Sequence, residues 1–187
     1  MGGMPASVPP VDAALVSRLR ALEPSCGPVR IVAVDGPSAA GKTTFSAALA
    51  AALDGAPVVH SDDFPVPWDG EPLAWWPPLT AHVLAPLRTG RPGRFRRYDW
   101  RRGTYAEEVT VPVAPVLVIE GVGAARRESP AAFRIWVEAP RAVRRRRAAG
   151  RGDDLAAWDH WAETEAKLFT ADRTRERADL VIDGNFS

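Results

Sequence analysis

"GPSAAGKTTF", residues 36–45, lies between the apolar run "VRIVAVD" at residues 29–35 and the alanine- and leucine-rich "SAALAAAL" at residues 46–53. The first flank is β-rich and apolar throughout. In the second, Phe45, Ala48, Leu49, Ala52 and Leu53 recur at helical spacing. The stretch therefore joins a buried strand to a helix. Gly36 and Gly41 allow backbone conformations in which successive N–H groups turn toward one point, and a helix starting at once behind them adds the positive end of its dipole. Gly36, four residues, Gly41, Lys42 and Thr43 have the spacing of a polyphosphate cradle, with Ser38, Ala39, Ala40 and Thr44 completing it. Lys42 is expected to bridge the terminal phosphates. The Thr43 hydroxyl is an oxygen ligand suited to Mg²⁺.

The same rhythm recurs along the chain. "APVVHSDDF" and "VAPVLVIEGV" read as buried strands that end in acids, "LTAHVLAPLRTG" as a helix closed by Gly90, and "FRIWVEA" and "ADLVID" as two further strands, each preceded by helical sequence. Apolar strands alternating with helices predict an α/β fold: a mostly parallel five-stranded sheet with helices on both faces. Before it, residues 1–10 read as a loose tail. Val11, Leu15, Leu19 and Leu22 then mark one face of a helix expected to pack on the core. Residues 1–28 form this leading part, and 29–187 the phosphate-binding domain. Between the second and third core strands, at about residues 68–112, proline, tryptophan and arginine crowd together and "VTVPV" alternates like an edge strand. This reads as a small irregular insertion at the carboxyl ends of the strands, where open parallel sheets bind ligands.

At 187 residues with a formal charge of +1, the chain fits one domain and its net charge calls for neither a membrane nor a nucleic-acid partner. Lys42 and Lys167 are the only lysines against 22 arginines, and glutamine is absent, so arginine runs reflect composition as well as chemistry. One cysteine, Cys26, forms no internal disulfide, and three scattered histidines have no metal-ligand spacing, which fits a reducing, cytoplasmic setting. No apolar run is long enough to span a bilayer, and the opening residues have no signal-peptide pattern.

Acids at the other strand ends decide what is done with the phosphates. Asp62 and Asp63 follow "VVHS", and Glu120 follows "VLVI". Carboxylates there can anchor Mg²⁺ or its waters, accept a proton from an attacking hydroxyl, or simply cap a turn. Four elements now carry a resemblance: "DGPSAAGKTT", the Asp62–Asp63–Phe64 element, "YDW" at Tyr98, Asp99 and Trp100, and "VLVIEGV". In order and spacing the chain resembles the uridine kinase and phosphoribulokinase family of P-loop kinases, from about residue 31 to 184. The resemblance implies a three-layer P-loop NTPase fold, ATP and Mg²⁺ as cofactors, and transfer of the γ-phosphoryl group to a small molecule with a free hydroxyl. It further implies that Asp62 is the catalytic base, that Glu120 and Asp62 join Thr43 around the metal, and that Asp63, Tyr98, Asp99 and Trp100 face the acceptor. A lid at about residues 141–155 would carry Arg144 and Arg147, with Arg151 one turn further on, toward the transferred phosphate. Two departures stand out. Uridine-recognising members carry a histidine shortly after the tyrosine–aspartate pair, where this chain continues "RRGTYAEE", and Pro65 replaces the tyrosine that often closes the aspartate–phenylalanine element.

Other readings stay open on the residues alone. Trp68, Trp75, Trp76 and Trp100 either stack on an acceptor or anchor the insertion. Trp158 and Trp161 read as packing residues. A nucleotide-dependent regulatory ATPase without a small acceptor is the main alternative to a kinase. A nucleic-acid-binding ATPase using "GRPGRFRRYDWRR" is a minor one.

Overall fold

The structure is a computed structural model in which residues 11–184 are described; the expected tail at residues 1–10, and residues 185–187, lie outside that range. In chain order the elements are α1 (Ala13–Arg20), β1 (Arg30–Asp35), α2 (Lys42–Ala52), β2 (Val58–His60), α3 (Trp76–Leu79), a π-helical turn (Thr80–Leu84), α4 (Ala85–Arg88), β3 (Gly93–Asp99), β4 (Thr104–Val111), β5 (Val116–Glu120), β6 (Phe133–Glu138), α5 (Arg141–Arg151), α6 (Leu155–Asp172) and β7 (Leu180–Asp183). Five strands form one sheet in the order β2-β5-β1-β6-β7. Every pairing within it is parallel.

The sheet is covered on both faces because the interiors of its central strands are apolar at successive positions, and successive side chains point to opposite sides. Ile31, Ala33, Leu117 and Ile119 meet Leu79, Val83, Leu87 and Trp75 on one face. On the other, Val32, Val34, Val118 and Ile135 meet Leu19 of α1 and Phe45, Leu49 and Leu53 of α2. Asp12 starts α1 by accepting a hydrogen bond from the Leu15 N–H at 2.7 Å, and Val11, Leu15 and Leu22 pack beside Leu19 as their spacing predicts.

Two expectations are corrected. The segment between β5 and β6, residues 121–132, contains no helix; it is a run of turns. It is held instead by the strand ends, with the Gly121 N–H donating to the Val34 carbonyl at 3.1 Å. The insertion is also regular rather than irregular. Its first half is the helical run from Trp76 to Arg88, and its second half is an antiparallel hairpin of β3 and β4. The hairpin is anchored from one side only. Phe95 is buried and stacks on Phe64 at 5.0 Å, while most other positions of the two strands face solvent, which is why the sequence pattern looked broken.

A buried carboxylate ties the loop after β1 to the loop after β5. Asp35 is fully buried at the end of β1, and its Oδ1 accepts from the Gly36 N–H at 2.7 Å and the Gly123 N–H at 3.0 Å. Its Oδ2 accepts from the Ala125 N–H at 2.8 Å. Burial pushes its pKa up to about 7 against the pull of these three N–H groups and the charge of Lys42. The sign of the pH dependence follows from linkage. Below the ordinary aspartate range the group is protonated folded or unfolded; between there and about pH 7 the unfolded chain releases a proton that the folded chain keeps. Stability should therefore fall as pH rises from about 4 to about 7, with a ceiling near ~4 kcal/mol from this residue. Urea midpoints at either end of that window check this. Asp62 and Glu165 push the same way, so the specific readout is a smaller fall in Asp35→Asn; an identical fall in that variant would relieve Asp35 of the effect.

Candidate active site

The glycine loop takes its shape from three residues with positive φ: Gly36 at 142°, Ala39 at 62° and Gly41 at 104°. Gly36 has no substitute, since a Cβ there would lie 2.0 Å from the Val137 carbonyl oxygen on β6. Gly41 is the N-cap of α2, so Lys42, Thr43 and Thr44 form the first helical turn and their N–H groups have no partner within the helix. Lys42 is buried and its Nζ donates to the Pro37 carbonyl at 3.1 Å, spanning the loop. Thr43 and Thr44 are exposed toward solvent.

Strand register brings the acids to this loop. Glu120 pairs with Val34 of β1 on one side and with His60 of β2 on the other, so three strand ends lie in a row. The Thr43 hydroxyl donates to Glu120 Oε2 at 3.3 Å, and His60 Nδ1 lies 2.6 Å from the same oxygen. That hydrogen bond is the largest cause of the raised His60 pKa, with burial opposing it. Asp62 follows on a single 3₁₀ turn, Ser61–Asp63. Its carboxyl is open to solvent at the cleft, but the protein around it displaces enough water to raise its pKa, and the charge of Glu120 adds to the rise. Asp63 is buried, and both its oxygens are engaged: Oδ2 accepts from the His60 N–H at 3.0 Å and Oδ1 from Arg97 Nε at 2.9 Å. It joins the hairpin to the strand end.

The hairpin carries "YDW" to the same cleft. The Trp100 indole N–H donates to the Asp62 carbonyl at 2.8 Å, while 48% of the residue remains exposed. Tyr98 meets Trp100 and Tyr105 edge to face, with ring centroids 5.0 and 5.6 Å away. Asp99 is turned elsewhere, since its Oδ1 accepts from the Arg101 and Arg102 N–H groups at 2.9 and 3.1 Å and shapes the hairpin tip. Among the other tryptophans, Trp75 and Trp76 are core anchors whose indoles donate to the Val122 and Gly123 carbonyls, each at 3.0 Å. Trp68 packs edge-on against Trp161 of α6 at 5.6 Å, and Trp158 is fully buried.

The expected lid arginines contact the glycine loop itself. Arg144 Nη1 donates to the Ser38 carbonyl at 3.2 Å, and Arg147 Nη1 to the Ala39 carbonyl at 3.2 Å. Arg151 sits apart at the exposed end of α5 and pairs with Asp153 at 2.6 Å. Four residues here had no place in the sequence reading. Asp35 was visible as a lone acid ending a buried strand, and His60 as the polar residue before "SDD". Arg97 was hidden among the hairpin arginines. Glu165, 127 residues beyond Ser38, left no local signal at all.

The oxygen set fits Mg²⁺. Thr43 and Glu120 converge, with Asp62 close enough to feel the Glu120 charge. A magnesium ion held by one or two protein oxygens and completed by phosphate and water has this requirement.

No family profile and no curated protein sequence matches the chain. Solved structures do. A chain described as a possible uridine kinase from Bacillus stearothermophilus superposes with a TM-score of 0.60 at 23% identity, covering 91% of this chain and 96% of that one. Another, described as a fructose transport system kinase from Silicibacter sp. TM1040, gives 0.61 at 24% identity over 96% and 99%. Both cover nearly the whole of each molecule. The parallel sheet with a glycine loop after its first strand thus belongs to this architecture, and the chain has the fold of the uridine kinase-like P-loop kinases.

Proposed function

We propose that the chain is an ATP-dependent kinase that transfers the γ-phosphoryl group to a hydroxyl of a nucleoside or another small hydroxylated metabolite. The observation that carries this is the convergence of Lys42, Thr43, Glu120 and Asp62 at three adjacent strand ends, with an open carboxylate next to the phosphate loop. A regulatory ATPase needs no such carboxylate beside an exposed tryptophan ring.

In this reading the amides of Ala39 and of residues 41–44 at the α2 N-terminus hold the polyphosphate, and Lys42 swings from the Pro37 carbonyl to the terminal phosphates. Thr43 and Glu120, with Asp62 alongside, hold Mg²⁺, which when bound offsets charge on the phosphate oxygens. Asp62 takes the proton of the acceptor hydroxyl as that oxygen forms its bond to the γ-phosphorus. The bond from the γ-phosphorus to the bridging oxygen breaks in line, and ADP leaves with the negative charge. The raised Asp62 pKa brings the base closer to neutrality, where a general base works best. Trp100 holds the Asp62 backbone in place through its indole N–H and offers an exposed ring face to the acceptor. A cytoplasmic setting belongs to the same reading, supported by the buried, unpaired Cys26. Among the described residues no helix is long and apolar enough to cross a membrane.

The test is ATP consumption against a panel of nucleosides, sugars and cofactor precursors, with the phosphorylated product identified by mass. Turnover that rises only with protein or polynucleotide, and never with a small hydroxyl compound, would refute the kinase reading. Asp62→Asn should retain binding of an ATP analogue but slow transfer by about 10² to 10⁴-fold, as loss of a general base does. Full activity in that variant would take the base role away from Asp62. Lys42→Ala should weaken Mg–ATP binding by on the order of tenfold to a hundredfold, the loss of one or two charge-assisted hydrogen bonds. Unchanged affinity in calorimetry would move the phosphate site elsewhere.

A further inference from the structure

Three consecutive carbonyls on the outer side of the glycine loop each accept from a cation: Pro37 from Lys42 at 3.1 Å, Ser38 from Arg144 at 3.2 Å and Ala39 from Arg147 at 3.2 Å. A fourth contact comes from α6. Glu165 is 1% exposed, and its Oε1 and Oε2 accept from the Ser38 N–H at 3.0 and 2.9 Å. Arg144 completes the set, with Nη1 3.3 Å from Glu165 Oε1 and Nε donating to the Ala139 carbonyl at 3.1 Å at the start of α5. Arg147 also reaches the Gly184 carbonyl at 2.8 Å, just past β7.

A peptide unit is planar and trans, so a carbonyl held on one side fixes the next residue's N–H on the other. Holding the Ser38 carbonyl outward thereby aims the Ala39 N–H away from α5, while the Ala40 N–H closes a turn on the Pro37 carbonyl at 3.1 Å. A loop with two glycines and Ala39 at positive φ has little intrinsic preference for this shape. We infer that Glu165 and Arg144, with Arg147, are positioning residues: a charged clamp from the α5–α6 pair that sets the phosphate-binding geometry of the loop without touching phosphate. The inference rests on the nucleotide-site reading above.

Carboxylate and guanidinium act as one unit. Glu165 is tolerated so near a polyphosphate site because Arg144 and Lys42 face it, and Arg144 is tolerated in the interior because Glu165 and two carbonyls accept from it. The opposite view treats Glu165 as an anion filling the phosphate's place, to be expelled on binding. The two views predict opposite signs.

The experiment is calorimetry with magnesium and a non-hydrolysable ATP analogue on the wild-type chain, Glu165→Gln, Arg144→Met and the double variant. Melting temperatures and the acceptor KM are measured alongside. The clamp predicts analogue affinity lowered on the order of tenfold to a hundredfold in each single variant. The double variant should be little worse than the weaker single, and the acceptor KM near wild type. Tighter binding by Glu165→Gln overturns the clamp in favour of a competing anion. Effects of the two changes that simply multiply, with kcat falling in Arg144→Met alone, overturn it in favour of a direct phosphate contact by Arg144. Equal affinity in all four proteins also overturns it. A wild-type chain that binds no analogue refutes the nucleotide-site reading itself, which separates the two failures. If Glu165→Gln does not fold, Arg144→Met alone still decides: the clamp requires its loss to appear in analogue affinity, a direct contact in kcat.

Discussion

A backbone amide aimed at a ligand leaves its peptide carbonyl aimed the other way, and that carbonyl must be satisfied by something. The glycine loop meets this requirement with charges from distant parts of the chain. Lys42 turns back on Pro37, α5 supplies guanidinium groups for Ser38 and Ala39, and α6 supplies the acceptor for the Ser38 N–H. Asp35 does the corresponding work where the loop leaves the sheet, taking the Gly36 N–H together with two N–H groups from the turns after β5. The loop is therefore less a flexible glycine segment than the meeting point of β1, β5, α5 and α6.

The remainder of the cleft follows from parallel register. With β1 central and β5 beside it, every strand end that carries an acid opens on the same edge. Glu120 is placed by its pairing with both Val34 and His60. The hairpin is then attached to that edge by polar contacts, Arg97 to Asp63 and Trp100 to the Asp62 carbonyl, and by the Phe64–Phe95 stack beneath them.

Much of this was legible before any coordinates. A strand, a Gly-x₄-Gly-Lys-Thr turn and a helix are local features, because each depends on φ preference, period or dipole within a few residues. The buried strands announced themselves by apolar content, and their acid ends by position. Pattern and packing part company in two places. The segment after Glu120 was expected to be helical before β6, but Gly121 and Gly123 at positive φ and the hydrogen bonds to Asp35 make it a series of turns. The insertion looks irregular because β3 and β4 bury only one side of a two-stranded ribbon, so that arginine and glutamate interrupt the apolar pattern.

Sequence alone determined that a Gly-x₄-Gly-Lys-Thr turn follows the first core strand, that the sheet is parallel, and that Asp62 and Glu120 lie at the ends of apolar strand stretches; each is a property of short stretches read against elementary stereochemistry. Tertiary structure decided which charges act together. Arg144, Arg147 and Arg151 are equivalent on a helical wheel, yet two contact the loop and the third pairs with Asp153. Asp62 and Asp63 are adjacent, yet one opens on the cleft and the other is buried beneath Arg97. Glu165 acquires its place only when α6 folds across the sheet edge. Electrostatic pairing depends on separation in space, and a chain carrying 22 arginines offers too many partners for its order alone to select among them.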